Sequence, residues 1–225
     1  MLRLFIITAL GILIFSCKSI PTNTPKSETK VIPIITSLSI NTLKANEIEE
    51  KISGADEILM TYSLFSFDEN NQPINAQHGS FGVEKMTSGT NISPQKISPL
   101  SITLPSKGKI VASLVLMEID DYEKAQKIIQ KLTLANGLGQ IPAMFLQIGE
   151  AATPLKYLSW AIMGADASVK GLKYFDGNDI LGQFKTELQI ENLKIGQNIT
   201  IPIKFNDKNY LNHYDYEINL SIGIK

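Results

Sequence analysis

The sequence predicts a mainly β protein, an antiparallel sandwich of about eight strands, and three observations carry that expectation. Apolar and polar residues alternate with a period of two over several runs. Clusters rich in Asn, Gly and Pro, such as DENNQP and SGTNISP, separate the runs as turns would. The chain has 225 residues and is 44% hydrophobic, enough to bury one sizeable core. Its 21 Lys plus Arg nearly balance 22 Asp plus Glu, so it lacks the basic footprint of a nucleic-acid binder.

The first seventeen residues read MLRLFIITALGILIFSC. Arg3 supplies a short positive region, and Leu4 to Phe15 form an apolar stretch of signal-peptide length. A spanning helix needs about 20 apolar residues, so this run is short for a membrane crossing. Ile14-Phe15-Ser16-Cys17 sets an aliphatic residue and then a small one before the only cysteine. The segment resembles the lipobox of bacterial lipoprotein precursors. That resemblance implies removal of residues 1–16, acylation of Cys17 with diacylglycerol and palmitate-type chains, and anchorage in the cell envelope. One chain anchors only marginally, at about 0.8 kcal/mol per buried methylene, so two or three are needed for a durable hold. Residues 17–30 then form an acylated, polar tether too poor in apolar residues to fold. Lys18 rather than Asp follows the cysteine, and on the lipoprotein resemblance the outer membrane is the expected location.

The folded domain is expected over residues 31–225. Strands are expected at 31–40, 57–66, 80–86, 98–104 and 109–119. Further on, Phe184, Thr186, Leu188 and Ile190 share one parity, as do Ile199, Ile201, Ile203 and Phe205. The clearest run is the last: Tyr214, Tyr216, Ile218, Leu220, Ile222 and Ile224 alternate with Asp215, Glu217, Asn219 and Ser221. Such strands have one buried and one wet face. Pro33 and Pro202 require edge positions or bulges.

Residues 121–170 break the period and are read as a two-helix insertion. Tyr122, Ala125, Ile128, Ile129 and Leu132 fall at helical spacing before Gly137. Thr153 can cap a second helix with Pro154 at its first position, followed by Leu155, Leu158, Ile162 and Met163. Trp160, Tyr157 and Leu155, with Met144, Phe145 and Leu146, either meet a lipid interface or partner, or close the insertion onto its host sandwich.

Several acids fall near expected strand ends. Glu118 and Asp120 share a parity after strand 109–119, and Glu50 and Asp56 flank a Lys-Ile-Ser-Gly-Ala turn. Later come Asn178-Asp179-Ile180-Leu181-Gly182, read as a turn, then a strand, the turn Glu191 to Gly196, and a strand. These features resemble C2 domains, eight-stranded sandwiches that often bind calcium and membranes. The resemblance implies a calcium site from Glu50, Asp56, Glu118, Asp120 and Asp179, with Asp121 or Asp176 as alternates. Calcium takes six to eight oxygen ligands from carboxylates and carbonyls. The alternative is that these acids simply solvate one end of the sandwich, Asp179 bonding the amides of its own turn.

Enzyme chemistry is not expected. The sequence lacks Gly-x-Ser-x-Gly, His-Glu-x-x-His and a phosphate loop, and Gly137-Leu-Gly139 is too short for a dinucleotide fingerprint. With Cys17 acylated no thiol nucleophile remains, and a single cysteine supports no disulfide framework or thiolate metal site. The expected role is non-catalytic binding or assembly at the membrane surface, with an envelope protein as partner. Membership of a secretion or surface machine is the competing reading.

Overall fold

The computed structural model describes residues 33–49, 54–120, 180–208 and 213–225. Within them run β1 (Ile35–Glu47), β2 (Asp56–Phe67), β3 (Pro73–Met86), β4 (Asn91–Ile92), β5 (Leu100–Thr103), β6 (Lys109–Glu118), β7 (Ile180–Gln189), β8 (Asn198–Lys208) and β9 (His213–Ile224). One sheet has the order β4-β1-β9-β8, with β5 also on β1, and the other β3-β2-β6-β7. All strand pairs are antiparallel. β4 and β5 occupy one edge of β1: Ile92 lies opposite Leu43, and Leu100 opposite Leu38. A single-turn 3-10 helix, Pro94–Lys96, interrupts what is otherwise one strand position. Counted by position, the described sheets hold four strands each, and the eight-position sandwich matches expectation.

Parity decides what is buried between the sheets. Ile58, Met60, Tyr62 and Leu64 of β2 and Ile110, Ala112, Leu114 and Leu116 of β6 face Leu38, Ile40, Leu43 and Ala45 of β1 and Tyr216 to Ile224 of β9. The terminal alternation is confirmed, with Glu217 exposed between buried Tyr216 and Ile218. Pro202 sits opposite Asn219 on β8, an edge strand, where its missing N–H breaks no ladder bond. Tyr62 donates from its hydroxyl to the Ser98 carbonyl at 2.6 Å, and burial pushes its phenol up to about 12.

Three elements differ from the sequence expectation, each for a local reason. β1 continues to Glu47 because a bulge between Ile40 and Thr42 resets the parity, turning Leu43 and Ala45 inward. β3 begins at Pro73, well before residue 80. It is an edge strand with only Phe81 and Met86 buried, so its ladder with β2 and not an apolar pattern defines it. Gly182, expected in a turn, lies within β7 opposite Leu116. The Phe205 ring rests on it, and a Cβ there would stand 2.2 Å from ring carbons.

The signal segment 1–16, Cys17 with its tether, Glu50, Asp121, Asp176, Asp179 and the two-helix insertion lie outside the described residues.

Candidate functional site

β1 and β6 end, and β2, β7 and β9 begin, at one end of the sandwich, termed the upper end. Asp56 opens β2 and is fully buried. Its Oδ2 accepts the Glu49 backbone N–H at 2.8 Å and the Tyr216 hydroxyl at 2.6 Å. One carboxylate thus joins the turn after β1, the first residue of β2 and the buried side chain of β9. The period of two explains the meeting. Tyr216 belongs to the inward row of its strand, and its long side chain reaches the opposite sheet.

Glu118 extends the inward row Ile110, Ala112, Leu114 and Leu116 beyond the core and is 5% exposed. Burial pushes the Tyr216 phenol far above its usual range, helped by the hydrogen bond to Asp56 and by the charges of Asp56, Glu118 and Glu49. Tyr214, whose ring centroid is 6.3 Å from that of Tyr216, donates to the Leu181 carbonyl at 2.9 Å. Burial raises its phenol too, followed by the charges of Asp207 and Glu49. Two tyrosines locked as hydroxyls and several acids therefore share this end. Chemically, Tyr216 is a fixed donor and Asp56 a fixed acceptor, a pair suited to holding loops in place.

Of the expected ligands, Asp56 and Glu118 are brought together around Tyr216, whereas Asp120 lies exposed past the end of β6. Among the described residues, no group of three His, Cys, Asp or Glu is arranged to hold a metal ion. Tyr216, Glu49 and Asp207 belong to this end, yet the sequence alone does not single them out. Tyr216 is legible there only as an apolar member of an alternating strand, since its partner lies 160 residues away.

An exposed ion network flanks the site. Lys204 meets Asp215 at 2.9 Å and Glu217 at 3.7 Å, and His213 Nε2 lies 2.9 Å from Glu47. Burial works against the Asp215 carboxylate, but hydrogen bonds from Lys204 and Asn46 outweigh it and hold its pKa below the usual range. Among the described residues, no helix is long and apolar enough to cross a membrane.

No protein-family model matches the chain, and no curated protein does. Among solved structures, the chain is similar to a C2 domain of plant extended synaptotagmin 1. The identity is 8%, with 85% of this chain and 93% of that one covered at a TM-score of 0.37. It is also similar to part of human GIVD cytosolic phospholipase A2, solved with methyl gamma-linolenyl fluorophosphonate and terbium chloride. There the identity is 9% and the TM-score 0.38, and the match covers 85% of this chain but 17% of the enzyme.

Proposed function

We propose that the protein is a lipid-anchored, non-catalytic binding or assembly module of the bacterial cell envelope. The observation that carries this reading is the position of the sole cysteine, directly after Ile14-Phe15-Ser16 and before a polar tether. The composition of residues 18–30, with two Pro, three Lys and one Ile, supports it as that of a tether. A non-catalytic role is supported by the upper end, where Asp56 and Tyr216 are bound to each other instead of presented to a substrate. Cys17→Ser tests the anchor. The wild-type chain should fractionate with the membrane and take up a palmitate analogue; the variant should do neither. Membrane association of the variant at the wild-type level would overturn the reading. Cross-linking of the lipidated protein in its native envelope then identifies the partner by mass.

A calcium-responsive form of this module is favoured by the approach of Asp56 and Glu118 to Tyr216. The described acids alone do not complete a site, since calcium needs six to eight oxygens. Glu118 and Asp120 would supply ligands from the described part, joined by Glu50 and Asp179. Asp56, with Oδ2 already bonded twice, fits the role of holding the turn beside them.

A further inference from the structure

β7 borders the β3-β2-β6-β7 sheet, and among the described strands it has a neighbour on one side only. The other border of that sheet is stitched down. On β3, Asn75 Nδ2 donates to the Thr103 carbonyl at 2.8 Å, and Gln77 Oε1 accepts the Ser101 N–H at 2.7 Å. On β7 the Tyr214 hydroxyl ties the Leu181 carbonyl, and the run after it, Gln183 to Gln189, holds neither Pro nor Gly. The Ile190 N–H donates to the Gly108 carbonyl at 2.9 Å, in register with the β6-β7 ladder. Hydrogen-bonding sides alternate along an antiparallel strand, so Gln183, Lys185, Glu187 and Gln189 turn their N–H and C=O groups to the open border. Lys185 and Glu187 are exposed and form an ion pair at 3.0 Å. On the other face of the strand, Phe184 and Leu188 are partly buried against the core.

We infer that β7 is a self-assembly edge, pairing antiparallel with β7 of a second copy about a two-fold axis at Thr186. A lone charge on an edge deters an added strand. Here the two charges are opposite in sign and flank Thr186 symmetrically, which makes the border complementary to itself. With Thr186 opposite Thr186, Lys185 meets Glu187 of the second copy and Glu187 meets its Lys185. Phe184 likewise meets Leu188, and Gln183 meets Gln189, so apolar, amide and charged positions are all matched. Sliding the strands by two residues either way sets Lys185 against Lys185 or Glu187 against Glu187, so charge selects the register. The interface is isologous and closes at two copies. It does not depend on the lipid anchor.

Thr186→Cys in the full chain, as cells produce it, tests the pairing, with the unsubstituted chain as the control for Cys17. Residues opposite each other in a non-hydrogen-bonded pair have Cα atoms about 4.5 Å apart, within reach of a disulfide. Mild oxidation should therefore give a dimer joined at the introduced thiols, well above the yield from Thr200→Cys on the outer face of the other sheet. Adding Lys185→Glu should cut that yield about tenfold, because both cross-strand pairs become repulsive. Adding Glu187→Lys as well should restore it, since the reversed pairs are again complementary. A yield no greater than that of Thr200→Cys overturns the inference, as does a mixed disulfide with another protein in place of the dimer. So does a yield indifferent to Lys185→Glu, or one that the double reversal fails to restore.

Discussion

The Tyr216 hydroxyl reaches across the sandwich to Asp56 Oδ2 at 2.6 Å, so a side chain of one sheet closes on the first residue of a strand in the other. The same oxygen holds the Glu49 amide. Removing the donor in Tyr216→Phe should destabilise the protein by about 1.5–3 kcal/mol, the range for a hydrogen bond to a charged acceptor. Asp56→Ala should do more harm than that, because it strands both donors. Urea denaturation of the two variants checks the order.

The buried phenols set an alkaline limit. Tyr62 is raised to about 12 and Tyr216 further, while unfolded tyrosine titrates near ~10. A group with its folded pKa raised leaves stability unchanged below the unfolded value and removes it as pH climbs from there toward the folded one. Stability should therefore be level up to about pH 9 and fall above ~10, with a shallower decline in Tyr216→Phe. Denaturation curves across that range, with tyrosine absorbance followed in parallel, provide the measurement.

Gly182→Ala should be destabilising by about 1–3 kcal/mol through overpacking, because its Cβ would enter the Phe205 ring. Phe205→Leu should restore part of that loss in the double variant. Simple additivity of the two changes in thermal melts would show that the contact is not what the glycine serves.

Asp215 behaves in the opposite sense to the tyrosines. Its folded pKa is lowered, so its contribution is present above the unfolded value of about 3.9 and is lost as pH falls through the folded one. Lys204→Ala should reduce that acid sensitivity. Because Lys204 is exposed, the effect should be small at neutral pH and vanish in high salt.

Calcium at millimolar concentration should raise the melting temperature of the full chain if the upper end takes a cation. Glu118→Ala/Asp120→Ala should abolish the rise. No shift in the wild-type protein would end the calcium reading.

Where one face of a strand is wet, as in β8 and β9, residues 199–205 and 214–224 announce their fold in sequence through simple alternation. β2 and β6 are visible from apolar content, but burial on both faces leaves no parity to follow. The end of β1 is hidden by the bulge at Asn41, which shifts Leu43 out of phase with Leu38 and Ile40. β3 is hidden because an edge strand needs few apolar residues. At the candidate site, Asp56 and Glu118 can be found as acids beside strand ends. Their meeting with Tyr216 cannot, since it depends on how two sheets stack and not on any local spacing.

Both borders of the β4-β1-β9-β8 sheet are poor templates for a foreign strand. On β8 Pro202, the fifth of eleven residues, offers no N–H, and on the opposite side Pro94–Lys96 splits the border into the two-residue β4 and the four-residue β5. Edge-to-edge pairing, the common route from a sandwich to an aggregate, is thereby interrupted on each side. Many copies of this sheet could be crowded side by side without zipping together.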